Sequence, residues 1–291
     1  MNMLYCGDAG IARGVLVSIL SLLRNGRKRY DSGWHGMVEE TTMGVPTYNI
    51  YIMTIHYPNV EPFEEKTAKF LDKLVKKSNP SSFVKLIDAT DEFVANLPKK
   101  NMGSYFTPCS MLRLYIDKIP ELCQLDRILY LDYDVVCRGS IGEFYNTDLT
   151  NIEAAGVLDI YGRIWYHYHG LFKQDYMNSG VMLFNIPECL KSGMFEKAVL
   201  LCAGRWMMLA DQAALNKSIS KRKLVERKYN EQEERPRSDT VLHHFSNNFK
   251  FWPYFHVQKV KPFEVEKIHD VLRINEYDTI LEEYNKLKKD L

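Results

Sequence analysis

Asp126-Arg127-Ile128-Leu129-Tyr130-Leu131-Asp132-Tyr133-Asp134-Val135-Val136-Cys137-Arg138 sets the architecture of the chain. Ile128 to Leu131 is a short apolar run bounded by charges, which predicts a buried strand and not a helix. Side chains two apart on a strand share one face, so Asp132 and Asp134 are expected to point the same way at the strand's exit. Two adjacent carboxylates repel and lose hydration, and a hard divalent metal that also holds phosphate oxygens is the cation that fits them. A D-x-D tripeptide alone is weak, since a solvated turn carries it as well. Its place at a strand end, where open α/β sheets bind ligands, gives it weight.

Upstream of this stretch the pattern alternates. Thr107-Pro108 opens a helix that carries Arg113 among apolar residues and stops at Pro120. Arg113 is either a surface arginine with its stem laid on the core or a cation reaching the downstream anions. A helix from Asp91 to Leu97, a strand from Phe83 to Ile87, a helix from Pro62 to Lys77 and a strand from Tyr48 to Ile55 precede it. Gly26 to Thr47, with Arg27-Lys28-Arg29 and no apolar period, reads as a long surface loop, either for partner or acceptor-carrier contact or as a surface insertion without a role. Met3 to Cys6 is a first buried strand, and Gly7-Asp8-Ala9-Gly10 turns into a helix from Ala12 to Leu23. This opening is not G-x-G-x-x-G, so the dinucleotide fingerprint is absent. Asp8 is placed either to accept hydrogen bonds from a base or ribose, or simply to cap the helix. The order βαβαβ predicts a mostly parallel sheet.

Downstream, Ala154 to Leu158 is a strand ending on a second strand-end carboxylate, Asp159. Trp165-Tyr166-His167-Tyr168-His169 is an aromatic cluster whose histidines do not have H-E-x-x-H spacing. Met177-Asn178-Ser179-Gly180 precedes a strand from Val181 to Asn185, and Pro187 starts a helix to about Ala203. Ala210 to Asn216 is a helix with Asp211 and Gln212 in its first turn, where an Asp also suits the helix dipole. Lys221-Arg222-Lys223 reads as a solvated basic face. Val241 to Phe245 is a strand whose His243 and His244 face opposite ways. His244 and Lys250, six apart, are able to flank one phosphate–metal centre. Phe263 to Leu291 reads as two amphipathic helices.

The whole chain has 46% hydrophobic and 12% aromatic residues, as a globular enzyme does. With 38 basic and 37 acidic residues the net charge is +1, so no field favours nucleic acid. The six cysteines are scattered, without a C-x-x-C pair, as expected of free thiols in a reducing compartment. No apolar run approaches the length of a transmembrane helix, and the N-terminus lacks a secretory pattern. The expected location is cytoplasmic, which leaves room for peripheral membrane contact.

Taken in order, Tyr5-Cys6-Gly7-Asp8, Leu112-Arg113-Leu114, Arg127 to Asp134, Met177 to Val181, Asp211 to Asn216 and His244-Phe245 leading to Lys250 and Trp252 resemble glycosyltransferase family 8. The resemblance runs from Met3 to Trp252. Two departures stand out in the last motif, where Asn247 occupies a glycine position and Phe251 a proline position. Ala213 also replaces a carboxylate often found after the D-Q pair. The resemblance implies an α/β fold of the GT-A type, one nucleotide-sugar-binding domain over residues 1–260 and a helical extension over 261–291.

It further implies Asp132, Asp134 and His244 as metal ligands, with Asp8 on the uridine and Lys250 on the diphosphate. Arg113 would contact the donor phosphates or sugar. Asp159, Asn178 and Gln212 would line the donor sugar, and Asp211 joins the donor-binding set. Two carboxylates and an imidazole suit Mn²⁺ better than Mg²⁺, which is the alternative ion. The implied activity is retaining transfer of glucose or galactose from UDP-glucose or UDP-galactose to a glycan, lipid- or protein-linked. Gln212 is a poor nucleophile, which favours front-face attack. Two other classes stay open: an inactive nucleotide-sugar-binding scaffold and a metal phosphohydrolase.

Overall fold

The computed structural model describes residues 1–26, 45–102, 108–162, 175–250 and 256–291, with backbone only at 248–250 and 256. Its strands are Asn2–Cys6 (β1), Asn49–Thr54 (β2), Phe83–Asp88 (β3), Arg127–Leu131 (β4), Val135–Cys137 (β5) and Ala154–Leu158 (β6). Met177–Asn185 (β7), Arg222–Leu224 (β8), Leu242–His244 (β9), Asn248–Lys250 (β10) and His256–Gln258 (β11) complete them. Among the described residues a seven-stranded sheet runs β3-β2-β1-β4-β7-β6-β8. β1, β2, β3 and β4 are mutually parallel, and β8 is parallel to β6. β7 alone runs against its neighbours β4 and β6. The fold is thus α/β with a mostly parallel central sheet flanked by helices, as the alternation predicts.

β4 shows why these residues form a central strand. Ile128, Leu129, Tyr130 and Leu131 are each at most 1% exposed. Burying such a side chain contributes about 1.5–3 kcal/mol. Alternation divides them: Leu129 and Leu131 pack with the helix Ala12–Asn25 on one face. Ile128 and Tyr130 pack with the 3₁₀ run Pro108–Lys118 and the helices Met194–Gly204 and Ala210–Ser218 on the other. The tail residues Ile268, Leu272, Tyr277, Ile280 and Tyr284 join the cluster of the first helix. No helix among the described residues is long and apolar enough to cross a membrane. All six cysteines are free, and all but Cys123 are buried.

Several sequence expectations need correction. The stretch after Pro108 is a 3₁₀ run and not an α-helix. The helix expected from Pro187 to Ala203 is two, Ile186–Ser192 and Met194–Gly204, broken at Gly193. Gly193 has φ +66°, a left-handed conformation that ends the first helix at little steric cost. Met177 to Gly180 lies within β7 and does not precede it, because Asp159, Gln212 and Asn230 satisfy its buried polar groups. Arg222 is no solvated basic residue. Its guanidinium donates to the carbonyls of Asp175, Asn216 and Ile219, which pins the chain between the helix Ala210–Ser218 and β8. The long loop expected at Gly26 to Thr47 falls mostly on residues 27–44, and the aromatic cluster on 163–174, outside the described residues.

Candidate active site

Asp132 and Asp134 sit just past the end of β4, but strand alternation is not what aligns them. β4 ends at Leu131, and Asp132 to Asp134 form a turn closed by the Val135 N–H donating to Asp132 O at 3.2 Å. The chain then enters β5, which pairs antiparallel with β9 in the register Val135↔His244. That register delivers His244 to the turn. Its Nε2 lies 3.3 Å from Asp134 Oδ1 and 3.7 Å from Asp132 Oδ2.

The other oxygen of each carboxylate is already occupied. Asp132 Oδ1 accepts from Arg113 at 2.8 Å and from the Tyr130 hydroxyl at 2.6 Å. Asp134 Oδ2 accepts from Lys261 Nζ at 2.5 Å. Burial would push the Asp134 carboxyl up, but opposing charges led by the Lys261 ammonium on Oδ2 hold it below the usual carboxylate range. Arg113 is 4% exposed and lies 4.1 Å over the Tyr130 ring, with Nη1 donating to Ser179 O and Nε to Ser110 O. Nε is also 3.3 Å from Asp211 Oδ2. Burial opposes the Arg113 charge, yet Asp132, Tyr130 and Asp211 keep it firmly protonated. Burial in turn raises the Asp211 carboxyl, against the pull of Arg113.

A second polar chain runs from His244 to Gln212, and backbone N–H groups fix the sense of its amides. Asn178 Oδ1 accepts from the Gly180 N–H at 3.0 Å, so its Nδ2 is the group that donates to Asp159 Oδ2 at 3.0 Å. Gln212 Oε1 accepts from the Ser179 N–H at 3.0 Å, and its Nε2 donates to Asp159 Oδ2 at 3.3 Å. Asp159 Oδ1 accepts from the N–H groups of Tyr161 and Gly162. Asn230, fully buried, donates through Nδ2 to Asn178 Oδ1 at 3.0 Å, leaving its Oδ1 to accept from His244 Nδ1 at 3.2 Å. With its proton on Nδ1, a neutral His244 presents the Nε2 lone pair to the two carboxylates. His243 has the opposite tautomer, donating from Nε2 to Glu233 O at 2.9 Å, with Nδ1 2.8 Å from the Tyr277 hydroxyl.

Asp132, Asp134 and His244 thus offer one ligand atom each within 4.8 Å of one another. Asp134 Oδ1 is buried and has no hydrogen-bond partner among the described residues. An orphaned buried oxygen facing a second carboxylate oxygen and an imidazole nitrogen is a donor set that fits a divalent cation.

The sequence-derived candidates therefore fall into groups. Asp132, Asp134, His244, Arg113 and Asp211 come together around β4, and Asp159, Asn178 and Gln212 beside them. Asp8 caps the turn after β1, accepting from the Gly10 N–H at 2.9 Å, as the plainer reading of that residue has it. Lys250 is on β10, and its side chain lies outside the description, as does all of Phe251 and Trp252. Sequence reasoning missed Lys261, Asn230 and Tyr130. Tyr130 looked like core, Asn230 stands in a polar stretch without period, and Lys261 is in a tail rich in lysine.

The profile of the family described as Glycosyl transferase family 8 matches residues 2–255. The chain is 31% identical over 176 residues to the lipopolysaccharide 1,2-glucosyltransferase of Escherichia coli, covering 57% of this chain and 50% of that protein. It is 26% identical over 183 residues to the lipopolysaccharide 1,3-galactosyltransferase of Salmonella typhimurium, covering 58% and 52%. The chain thus spans about half the length of these relatives. Among solved structures, galactosyltransferase LgtC in complex with donor and acceptor sugar analogs superposes with a TM-score of 0.63 at 14% identity, over 100% of both chains, a likeness of fold. With the profile spanning the sheet, the Asp132–Asp134 turn and His244, this chain belongs to glycosyl transferase family 8.

Proposed function

We propose that the chain is a metal-dependent, retaining hexosyltransferase that moves glucose or galactose from a UDP-sugar to a glycan acceptor, lipid- or protein-linked, in the cytoplasm. Residues 1–260 form the donor-binding domain in this reading, and residues 261–291 a helical extension. The observation that carries it is the convergence of Asp132, Asp134 and His244 with an orphaned Asp134 oxygen, beside the Asp159–Asn178–Gln212 network. Relatives that are lipopolysaccharide glucosyl- and galactosyltransferases support the sugar class.

A Mn²⁺ ion held by Asp132, Asp134 and His244 would supply Lewis-acid stabilisation of the diphosphate leaving group. The chain's own residues do the rest. Asp8 reaches the uridine, and Lys250 adds a cation to the diphosphate. Arg113 braces Asp132 and Asp211 and adds fixed positive charge beneath the departing phosphate. Asp159, Asn178 and Gln212 present a rigid polar wall to the sugar, since each amide is locked by a backbone N–H.

Gln212 Oε1 already accepts from both the N–H and the hydroxyl of Ser179, which makes a covalent role poorer still. Front-face attack follows: the acceptor oxygen bonds to the anomeric carbon as the bond to the phosphate oxygen breaks. That oxygen takes the acceptor's proton. Release of UDP from UDP-glucose and UDP-galactose, with and without Mn²⁺, tests the proposal. Metal-independent release, or none from either donor, would count against it. Asn247, at a glycine position and with Oδ1 buried and unpartnered among the described residues, favours one other reading. A scaffold of that kind binds UDP and transfers nothing.

A further inference from the structure

Lys261 lies beyond residue 255, the last matched by the family profile, yet it enters the centre of the site. Its Nζ is 2.5 Å from Asp134 Oδ2, 3.4 Å from Phe245 O and 5.5 Å from the centroid of the Tyr133 ring. The Lys261 side chain is 21% exposed, against 6% for that of Asp134. Asp132 is matched in the same way by Arg113, at 2.8 Å on Oδ1. Each acidic ligand thus has one oxygen committed to an internal cation and one turned toward His244 Nε2. Both acidic ligands therefore face an internal cation before any ion enters, Arg113 being shared with Asp211.

We propose that Lys261 is a resident counter-cation of the metal site, holding Asp134 to a single free oxygen and lowering the metal affinity of the nucleotide-free protein. The inference rests on the reading of Asp132, Asp134 and His244 as metal ligands. Its physical basis is direct. The ammonium occupies the oxygen that a bidentate carboxylate would give the ion, and it repels a divalent cation placed on the other oxygen. With three monodentate protein ligands, and with an internal cation on the far oxygen of each carboxylate, the ion is retained only when a diphosphate adds its own oxygens and negative charge. Metal and nucleotide then arrive as one.

The test is calorimetric titration of Mn²⁺ into the nucleotide-free wild type, Lys261→Gln and Lys261→Arg, with Asp134→Asn as the control that removes a ligand charge. Lys261→Gln is expected to bind Mn²⁺ at least about tenfold more tightly than wild type, and Lys261→Arg within about twofold of it. Lys261→Gln leaves Asp134 uncompensated, so its melting temperature should fall without Mn²⁺ and rise with it by more than that of wild type. Unchanged or weaker Mn²⁺ binding in a folded Lys261→Gln overturns the proposal. So does a variant that fails to fold without metal and is not restored by Mn²⁺. Failure of UDP-saturated wild type to bind Mn²⁺ sinks instead the metal-site reading beneath it.

Discussion

Gly180 abuts His244 so closely that a methyl group at position 180 would stand 2.2 Å from Cε1 of the imidazole and 2.8 Å from Asp132 Oδ2. Two of the candidate metal ligands therefore occupy the space that a side chain on β7 would fill. The glycine is needed there for close approach, not for an unusual φ. Gly180→Ala is expected to push His244 off Asp132 and Asp134 and to weaken Mn²⁺-dependent UDP binding by about 10-fold or more, the scale of a disturbed ligand shell. Calorimetry on the folded variant checks this, and wild-type affinity would show that the imidazole does not ligate the ion.

Asp134→Asn keeps the shape of the side chain while removing its charge. The loss of a charged hydrogen bond to Lys261 should cost about 1.5–3 kcal/mol of stability, seen as a lower urea midpoint. Metal-dependent UDP binding should disappear, because Asp132 and His244 alone do not hold an ion beside a diphosphate. Retention of that binding by Asp134→Asn removes Asp134 from the ligand set.

Much of this arrangement is legible in the sequence, and the parts that are not share a cause. β1, β2 and β4 announce themselves as short apolar runs, since burial on both faces demands apolar side chains in sequence, whereas β3 at the sheet edge leaves Lys85 and Asp88 exposed. The Asp132–Asp134 pair was visible for its chemistry, but its geometry comes from a turn and the β5–β9 register, which no local pattern encodes. Asn178 and Ser179 hid the first part of β7. They are polar, and they are buried only because Asp159, Gln212 and Asn230 satisfy them from distant parts of the chain. Lys261 meets Asp134 across 127 positions, and nothing near it in the sequence sets it apart from its neighbours. Arg222 looked solvated for the same reason, its carbonyl partners being supplied by the fold.

Gln212→Ala separates sugar contact from nucleotide contact. Its amide bridges Ser179 and Asp159, away from Asp134 and Lys261. Turnover should fall by about 10²-fold, the scale for losing one positioned polar group, while UDP affinity stays within a few-fold of wild type. Equal losses in both quantities would place Gln212 on the nucleotide.

Asn230→Ala removes the acceptor that fixes the His244 tautomer while leaving all three candidate ligands in the chain. Metal-dependent UDP affinity should drop by about 10–100-fold, as when an outer partner of a ligating histidine is lost. Asn230→Asp, which restores an oxygen to face Nδ1, should recover part of that loss. If neither substitution alters the affinity, Asn230 serves packing alone.

Glu153 offers a pH-dependent test remote from the site. It is 1% exposed, and its carboxylate accepts from the N–H groups of Ser220 at 2.6 Å and Lys221 at 2.8 Å, tying β6 to the turn before β8. Burial opposes the charged form, but the hydrogen bonds from Lys221, Ser192 and Ser220 outweigh it and hold the pKa below the ordinary 4.5. A carboxyl depressed in the folded state contributes stability that is fully present above the unfolded pKa and is lost as pH falls through the folded one. Glu153→Gln should therefore be less stable than wild type by about 1.5–3 kcal/mol near neutral pH. That gap should narrow as the pH is taken below 4.5, because protonation turns the wild-type side chain into a neutral group like its replacement. Urea unfolding of both proteins across this range measures it. A gap that is constant with pH would mean that the shape of Glu153, and not its charge, holds the turn.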